Sequence, residues 1–411
     1  IVFSYMMWEL IQSNRRKSIF IFFGMGLLLL LIGYIFGSFY EPESGGFIGL
    51  FFALILWAIL STISYFAGSK IILGISGAKE VTKDVHPQLF NIVEEMRIAA
   101  NLPHQPKVYI ISDAAPNAFA TGMKPENSAI AVTAGLLGQL NRDELQGVVA
   151  HEMSHIINRD VLLMTFAGMM LGAITLMAEV FTRSLWFGGG SRYKSKSSDK
   201  GGQGQIIILV LAIALAILGP IMAQLLYFAI SRKREYLADA SAVRLTRYPE
   251  GLASALEKIS YSNLDLKTAN KVTAPMYIIN PLKKKGMQIA NLTSTHPPIN
   301  ERIKILRSIS SGADYSNYQV AFNQVKGKHS PIIPHSGLAE NLKLSLRSSE
   351  TTVEVKQNLV NNKREVGDLI MKLNEYKFIN CTCGLKLKVP PKFSSDSISC
   401  PKCGRIHPLN M

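Results

Sequence analysis

The sequence predicts an α-helical integral membrane protein with four transmembrane helices, an α+β domain assembled around the second helical pair, and a small metal-binding module at the C-terminal end. Three observations predict it. Four stretches, 18–37, 46–68, 161–182 and 206–230, are apolar over the roughly 20 residues that a helix needs to cross a bilayer. Between the two pairs the hydrophobic period changes from that of helices to that of strands and back. The cysteines stand only at Cys381, Cys383, Cys400 and Cys403, a spacing that belongs to metal sites in a reducing compartment rather than to a disulfide framework. With 48% hydrophobic residues over 411, the chain is too apolar for an ordinary soluble enzyme of its size.

Asn14-Arg15-Arg16-Lys17 precedes the first apolar stretch, which runs too long for a cleaved signal and lacks a small-x-small site after it, so it reads as a signal anchor. The far side, Tyr40-Glu41-Pro42-Glu43-Ser44, carries no Lys or Arg. The positive-inside rule therefore places residues 1–16 in the cytoplasm and, after the hairpin 17–68, returns the chain there by Lys70, in a plasma membrane. The second hairpin, 161–230, has a basic connection, with Arg183, Arg192, Lys194, Lys196 and Lys200, that argues for the opposite orientation. Arg142 and Arg159 before it and Arg232, Lys233 and Arg234 after it argue against that. A pair of buried core helices is the other reading of this hairpin. The net charge of +15 fits basic membrane flanks as well as nucleic acid.

The soluble piece, 75–160, opens with Leu89, Ile92, Val93 and Met96 at helical spacing, ending near Asn101-Leu102-Pro103. Lys107–Ile111 and Ala129–Thr133 read as strands joined by a loop containing Pro116, Gly122 and Pro125. Asn141-Arg142-Asp143-Glu144 has the form of a helix cap with an acid at the third position, so a helix is expected from Arg142 through Ile157.

That helix contains His151-Glu152-Met153-Ser154-His155, an H-E-x-x-H pattern. Residues four apart lie on one helix face, so both imidazoles can reach one zinc ion at ~2.0–2.1 Å. Glu152 beside them can accept a proton from water whose pKa the metal lowers toward ~7. A catalytic zinc takes a third protein ligand and keeps one position open. In Ser231–Asp239, at the start of the segment 231–311, Glu235 is the best candidate, and Asp239 one turn on can reach the back of a ligand histidine and fix its tautomer. A solvated charged face just outside the membrane is the alternative reading of this Arg-rich run.

The order of two N-terminal membrane helices, HEMSH, a second hairpin, SRKREYLADA and then THPPINER resembles the HtpX-type membrane metalloproteases, relatives of the CAAX prenyl-protein endopeptidases, over about residues 5–310. The resemblance implies a glu-zincin core and zinc endopeptidase action on misfolded or damaged membrane proteins. It implies His151, His155 and Glu235 as zinc ligands, Glu152 as base and Asp239 as the acid behind them. It also implies Asn117 near the substrate, and His296 and Arg302 as polar groups near the metal that stabilise an oxyanion. His296-Pro297-Pro298 can equally be a turn opening the next helix. With the alternating pattern of Ile130, Ala131, Val132 and Thr133, the resemblance suggests this strand as an edge on which a substrate peptide adds, beside Asn117 and Ala118.

Residues 312–378 lie beyond the resemblance and read as a Ser-, Asn-, Gly- and Pro-rich linker, 312–337, followed by short helices. In 379–411, Cys381-Thr382-Cys383-Gly384 and Cys400-Pro401-Lys402-Cys403-Gly404 resemble the paired knuckles of a zinc ribbon, giving a second, structural zinc. Expected partners are polypeptide substrates, the bilayer and an unidentified partner of the ribbon; nucleic acid is not expected, although Lys386, Lys388, Lys392, Lys402 and Arg405 weakly favour something acidic. A zinc-binding scaffold or chaperone and a prenyl-protein peptidase are the alternative functions.

Overall fold

The computed structural model describes residues 8–122, 125–192, 202–229, 231–269, 273–279, 281, 297–327, 331–338, 344–348, 359–393 and 395–409. Helices α1 (Trp8–Tyr40) and α2 (Gly45–Ile75) form the first hairpin. They meet along a seam of glycines: a Cβ on Gly37 would lie 2.0 Å from the Gly45 carbonyl oxygen, and one on Gly49 would lie 2.1 Å from that of Gly33. Small residues four apart on both helices let the backbones touch, which is how helices pack where lipid offers no hydrophobic drive. The outer faces stay apolar, with Phe47 and Phe66 exposed. The chain then enters a four-stranded sheet through the short strand β1 (Ala78–Glu80), passes through α3 (Pro87–Ala99), and continues as β2 (Lys107–Ile111), β3 (Ala118–Thr121) and β4 (Ala129–Thr133).

The strand order is β1-β2-β4-β3, with β2 and β4 parallel and the outer pairs antiparallel. β4 is therefore not the edge expected from Ile130, Ala131 and Val132: it is paired on both sides, and the edge on its side of the sheet is β3. The cause is a difference between two kinds of alternation. Large and small residues alternate along β4, and all five are buried. Ile130 and Val132 face the core made with Leu89, Ile92, Val148 and Met153, while Ala129 and Ala131 leave room for Ile72, Phe119 and Tyr277 on the other face. Such a strand, buried on both faces, sits inside a sheet.

After α4 (Ala134–Gln139), helix α5 (Arg142–Ile157) begins with a complete capping box: Asn141 accepts from the Glu144 N–H, and Glu144 accepts from the Asn141 N–H. Asn158 and a left-handed Arg159, φ 57°, turn the chain into α6 (Asp160–Arg192), and α7 (Gly202–Ala229) completes the second hairpin. Among the described residues, these two and the first pair give four helices long and apolar enough to cross a membrane. Phe36 of α1 stacks on Phe181 of α6 at 3.9 Å, joining the hairpins.

The remainder of the domain is helical: α8 (Ser231–Thr246), α9 (Pro249–Tyr261), α10 (Ile299–Arg307) and α11 (Tyr315–Lys326). The last of these lies in the stretch expected to be a linker. It is instead part of the core, because Tyr315, Tyr318 and Phe322 repeat at helical spacing and are all buried. A turn of helix, α12 (His335–Leu338), and the helix α13 (Leu359–Leu373) lead to two small hairpins, β5–β6 (Lys377–Asn380, Lys386–Val389) and β7–β8 (Ser397–Ser399, Ile406–Pro408), that carry the cysteines.

Candidate metal centre and its surroundings

α5 presents His151 and His155 on one face, with ring centroids 4.9 Å apart and planes perpendicular. α8 crosses them and brings Glu235 between: His151 Nε2 lies 3.6 Å from one carboxylate oxygen and His155 Nε2 lies 3.6 Å from the other. A tetrahedral ion with bonds of ~2.0–2.1 Å spaces its ligand atoms by about 3.4 Å, so two imidazole nitrogens and one carboxylate at these separations fit zinc. His151 and Glu235 are buried, and His155 is half-buried.

Each of the two histidines is held from behind. His151 Nδ1 lies 3.0 Å from Asp239, the acid one turn after Glu235. Arg302, itself fully buried, reaches Asp239 with Nε at 2.8 Å and Nη2 at 2.7 Å. His155 Nδ1 lies 3.3 Å from Asp160, a residue the sequence reading did not single out. Its signal was an acid at the mouth of a membrane helix, which is costly unless partnered. The left-handed Arg159 is what turns Asp160 back toward the helix it follows.

Glu152 is buried beside the ligands, and its carboxylate accepts from the Ala120 N–H on β3. Two of the residues expected near substrate, Asn117 and Ala118, lie at the start of the same strand edge. Asn117 donates through Nδ2 to the Ile279 carbonyl at 2.8 Å, and the Ala118 carbonyl accepts from the Ile278 N–H at 2.9 Å. Ile130, Ala131 and Val132 lie one strand further in, with no free edge. His296 lies outside the described residues.

Residues 83–310 match Peptidase family M48. The chain belongs to this family. A Protease HtpX homolog of Dictyoglomus turgidum is 46% identical over 300 residues, covering 73% of this chain and 94% of that one. Another, of Streptococcus uberis, is 43% identical over 302 residues, covering 74% and 99%. Among solved structures, the crystal structure of S. mikatae Ste24p aligns at 23% identity over 72% of this chain and 65% of that chain, with a TM-score of 0.37. This M48 chain is thus an HtpX-type membrane zinc endopeptidase acting on polypeptides, and its relatives favour neither the scaffold nor the prenyl-protein peptidase reading.

The electrostatics of the M48 site follow from burial and charge. Burial pushes the Glu152 carboxyl above its ordinary range, against the pull of the two histidines. Burial opposes charge on His151, but hydrogen bonds to Asp239 and then Glu235 outweigh it and raise its pKa to about 9 before a metal is bound. Asp239 resists burial in the same way, because Arg302 and His151 hold its carboxyl below the ordinary value.

Beyond the M48 match, the four cysteine sulfurs lie within 4.8 Å of one another. Cys381 and Cys403 are 3.4 Å apart, and Cys383 and Cys400 are 3.6 Å apart, far longer than a disulfide and near the edge of a tetrahedron with Zn–S bonds of ~2.3 Å. Gly384 and Gly404, at φ 83° and 72°, supply the left-handed turns that close both knuckles. The Cys383 N–H lowers the pKa of the Cys381 thiol, which favours the thiolate a metal needs.

Proposed function

We propose that this endopeptidase cuts misfolded or damaged membrane proteins at the cytoplasmic face of the plasma membrane, using one catalytic and one structural zinc. The observation that carries the reading is a shared cavity: His151, Glu152, His155 and Glu235 line it together with Val161 and Met164, the latter the first residue of the third candidate span. Reacting groups at the foot of a membrane helix favour substrates that are themselves in the membrane. The basic run Arg15-Arg16-Lys17, in α1 just before the apolar span that starts at Ser18, supports the cytoplasmic orientation.

His151, His155 and Glu235 would hold the catalytic zinc, which when bound supplies a Lewis acid at the scissile carbonyl. Glu152 takes a proton from the attacking water and passes it to the leaving nitrogen; its raised pKa suits both halves of that transfer. Asp239 and Asp160 fix the orientation of the two imidazoles, and Arg302 neutralises Asp239. Nε and Nη2 of Arg302 are committed to Asp239, while its Nη1 donates to the Ile278 carbonyl at 3.4 Å and lies 3.6 Å from the Glu235 carboxylate. We assign Arg302 to positioning and leave oxyanion stabilisation to His296, on the family resemblance. Substrate pairs with β3 through Asn117, Ala118 and Ala120. Cys381, Cys383, Cys400 and Cys403 leave a bound zinc no open position, so the ribbon folds around it and offers a surface for a partner or for substrate delivery.

The test is cleavage of an unfolded model protein by the detergent-purified chain against its Glu152→Gln variant, with metal content measured in both. Cleavage by the parent alone, at equal zinc, supports the reading. Equal zinc and no cleavage by the parent of any unfolded or membrane substrate would overturn it.

A further inference from the structure

The strand edge nearest the ligands is already in use. β3 pairs with β4 on one side only, which leaves backbone groups of Ala118 and Ala120 facing the cleft. The Ala118 carbonyl accepts from Ile278 N–H at 2.9 Å. Asn117 holds the following residue by both ends, donating to the Ile279 carbonyl at 2.8 Å and accepting from its N–H at 3.4 Å. From the opposite wall, Arg302 Nη1 donates to the Ile278 carbonyl at 3.4 Å.

The side chains follow the same logic. Tyr277 packs edge-on against Phe119 at 5.0 Å, while Met276 and Ile278, 8% and 1% exposed, line the cavity of the zinc ligands. What remains of that cavity among the described residues is about 20 Å³, room for one water and not for a peptide side chain. A short segment held by its backbone on a strand edge, with one side chain in a pocket and its neighbour against the strand, has the form of a peptide added to a sheet.

We infer that Tyr277–Ile279 occupies the place of the substrate, as a resident strap that a substrate displaces, and that the cavity around Ile278 is a subsite selecting an aliphatic residue next to the scissile bond. The inference rests on the endopeptidase reading above. Val161 and Met164 of α6 and Ala120 of β3 supply the apolar walls of the subsite, so a membrane helix takes part in sequence selection. The apparent Kd for substrate is then the intrinsic Kd divided by the fraction of molecules in which the strap is open.

The experiment reads binding rather than turnover. A fluorescent, unstructured peptide of about ten residues, polar except for a central leucine, is titrated into the full zinc-loaded chain carrying Glu152→Gln, with and without Ile278→Ser. The expected result is a Kd lower by about tenfold or more in the Ile278→Ser chain, with binding to both lost when the leucine is replaced by aspartate. Equal Kd values, or no binding to either chain, would overturn the inference. A second measurement needs no change in the strap. Hydrogen exchange on the Glu152→Gln chain should show Ile278 and Ile279 amides exchanging faster at saturating peptide while β3 stays protected, and an unchanged strap under bound peptide would overturn the inference as well. Failure of the parent chain to cleave any substrate would sink the endopeptidase reading and leave this comparison of affinities intact.

Discussion

Replacing Arg302 by methionine isolates the charge it brings to the ligand cluster, since the apolar stem is largely kept. In the structure Arg302 and Asp239 both have fully buried side chains, and two hydrogen bonds of 2.8 and 2.7 Å join them. No solvent stands ready to replace the guanidinium. Removing one member of a buried pair leaves an uncompensated charge and costs about 3–5 kcal/mol, several times the value of an exposed pair. At roughly 2–4 °C per kcal/mol for a domain of this size, the zinc-loaded variant should melt about 6–20 °C below the parent. A thermal melt in detergent, at fixed zinc and protein concentration, reads this directly. The paired variant Arg302→Met with Asp239→Leu should recover part of the loss while binding zinc more weakly, because the charge is gone but so is the support of His151. If Arg302→Met costs less than about 1 kcal/mol, water must reach Asp239, and the cluster is not the closed unit described above.

Asp160→Asn should lower zinc affinity about 10–100-fold in chelator competition, with the fold unchanged by circular dichroism; parent-like affinity would show that His155 is oriented without it. In the metal-free protein, His151 has a folded pKa of about 9, above its ordinary 6.5, so the stabilisation from its acidic neighbours is full below pH 6.5 and is lost as the pH rises through 9. The same proton must leave when zinc binds at about pH 7, and calorimetry in buffers of different ionisation enthalpy should detect its release, which should vanish above pH 9. Cys383→Ser should reduce bound zinc from about two to about one per chain and remove exchange protection from 377–408 while the first zinc stays, and a full zinc complement would count against the four-thiolate site.

What could be read from the sequence was what local chemistry determines. The capping box at Asn141 and Glu144 marks the start of α5, and the spacing within α5 and α8 puts His151 with His155 and Glu235 with Asp239 on shared faces. The strands Lys107–Ile111 and Ala129–Thr133 follow from their apolar runs, but their neighbours do not. β3 is four residues of alanine, phenylalanine and threonine inside an expected loop, and only pairing with β4 makes it a strand. Asp160 was hidden because its partner is chosen by one left-handed residue, Arg159. For α11 the polar composition of 312–337 concealed an aromatic repeat at 315, 318 and 322 that was visible in principle.

That last helix changes where the catalytic unit ends. The family match stops at 310, yet Phe322 packs edge-on against Tyr236 at 5.1 Å, and Tyr315 bonds Ser241 at 3.1 Å and lies under Arg244; Tyr236, Ser241 and Arg244 are all on the helix that carries Glu235. Further on, Arg347 reaches Asp143 at 3.0 Å in the first turn of the histidine helix. A chain cut at the family boundary would therefore be raw along the back of both helices, its aromatic seams open to aggregation. In this protein the tail has become part of the enzyme's interior, and the packing continues past residue 348, since Leu373 of α13 is buried in the same core with Val366, Leu369 and Ile370 against it.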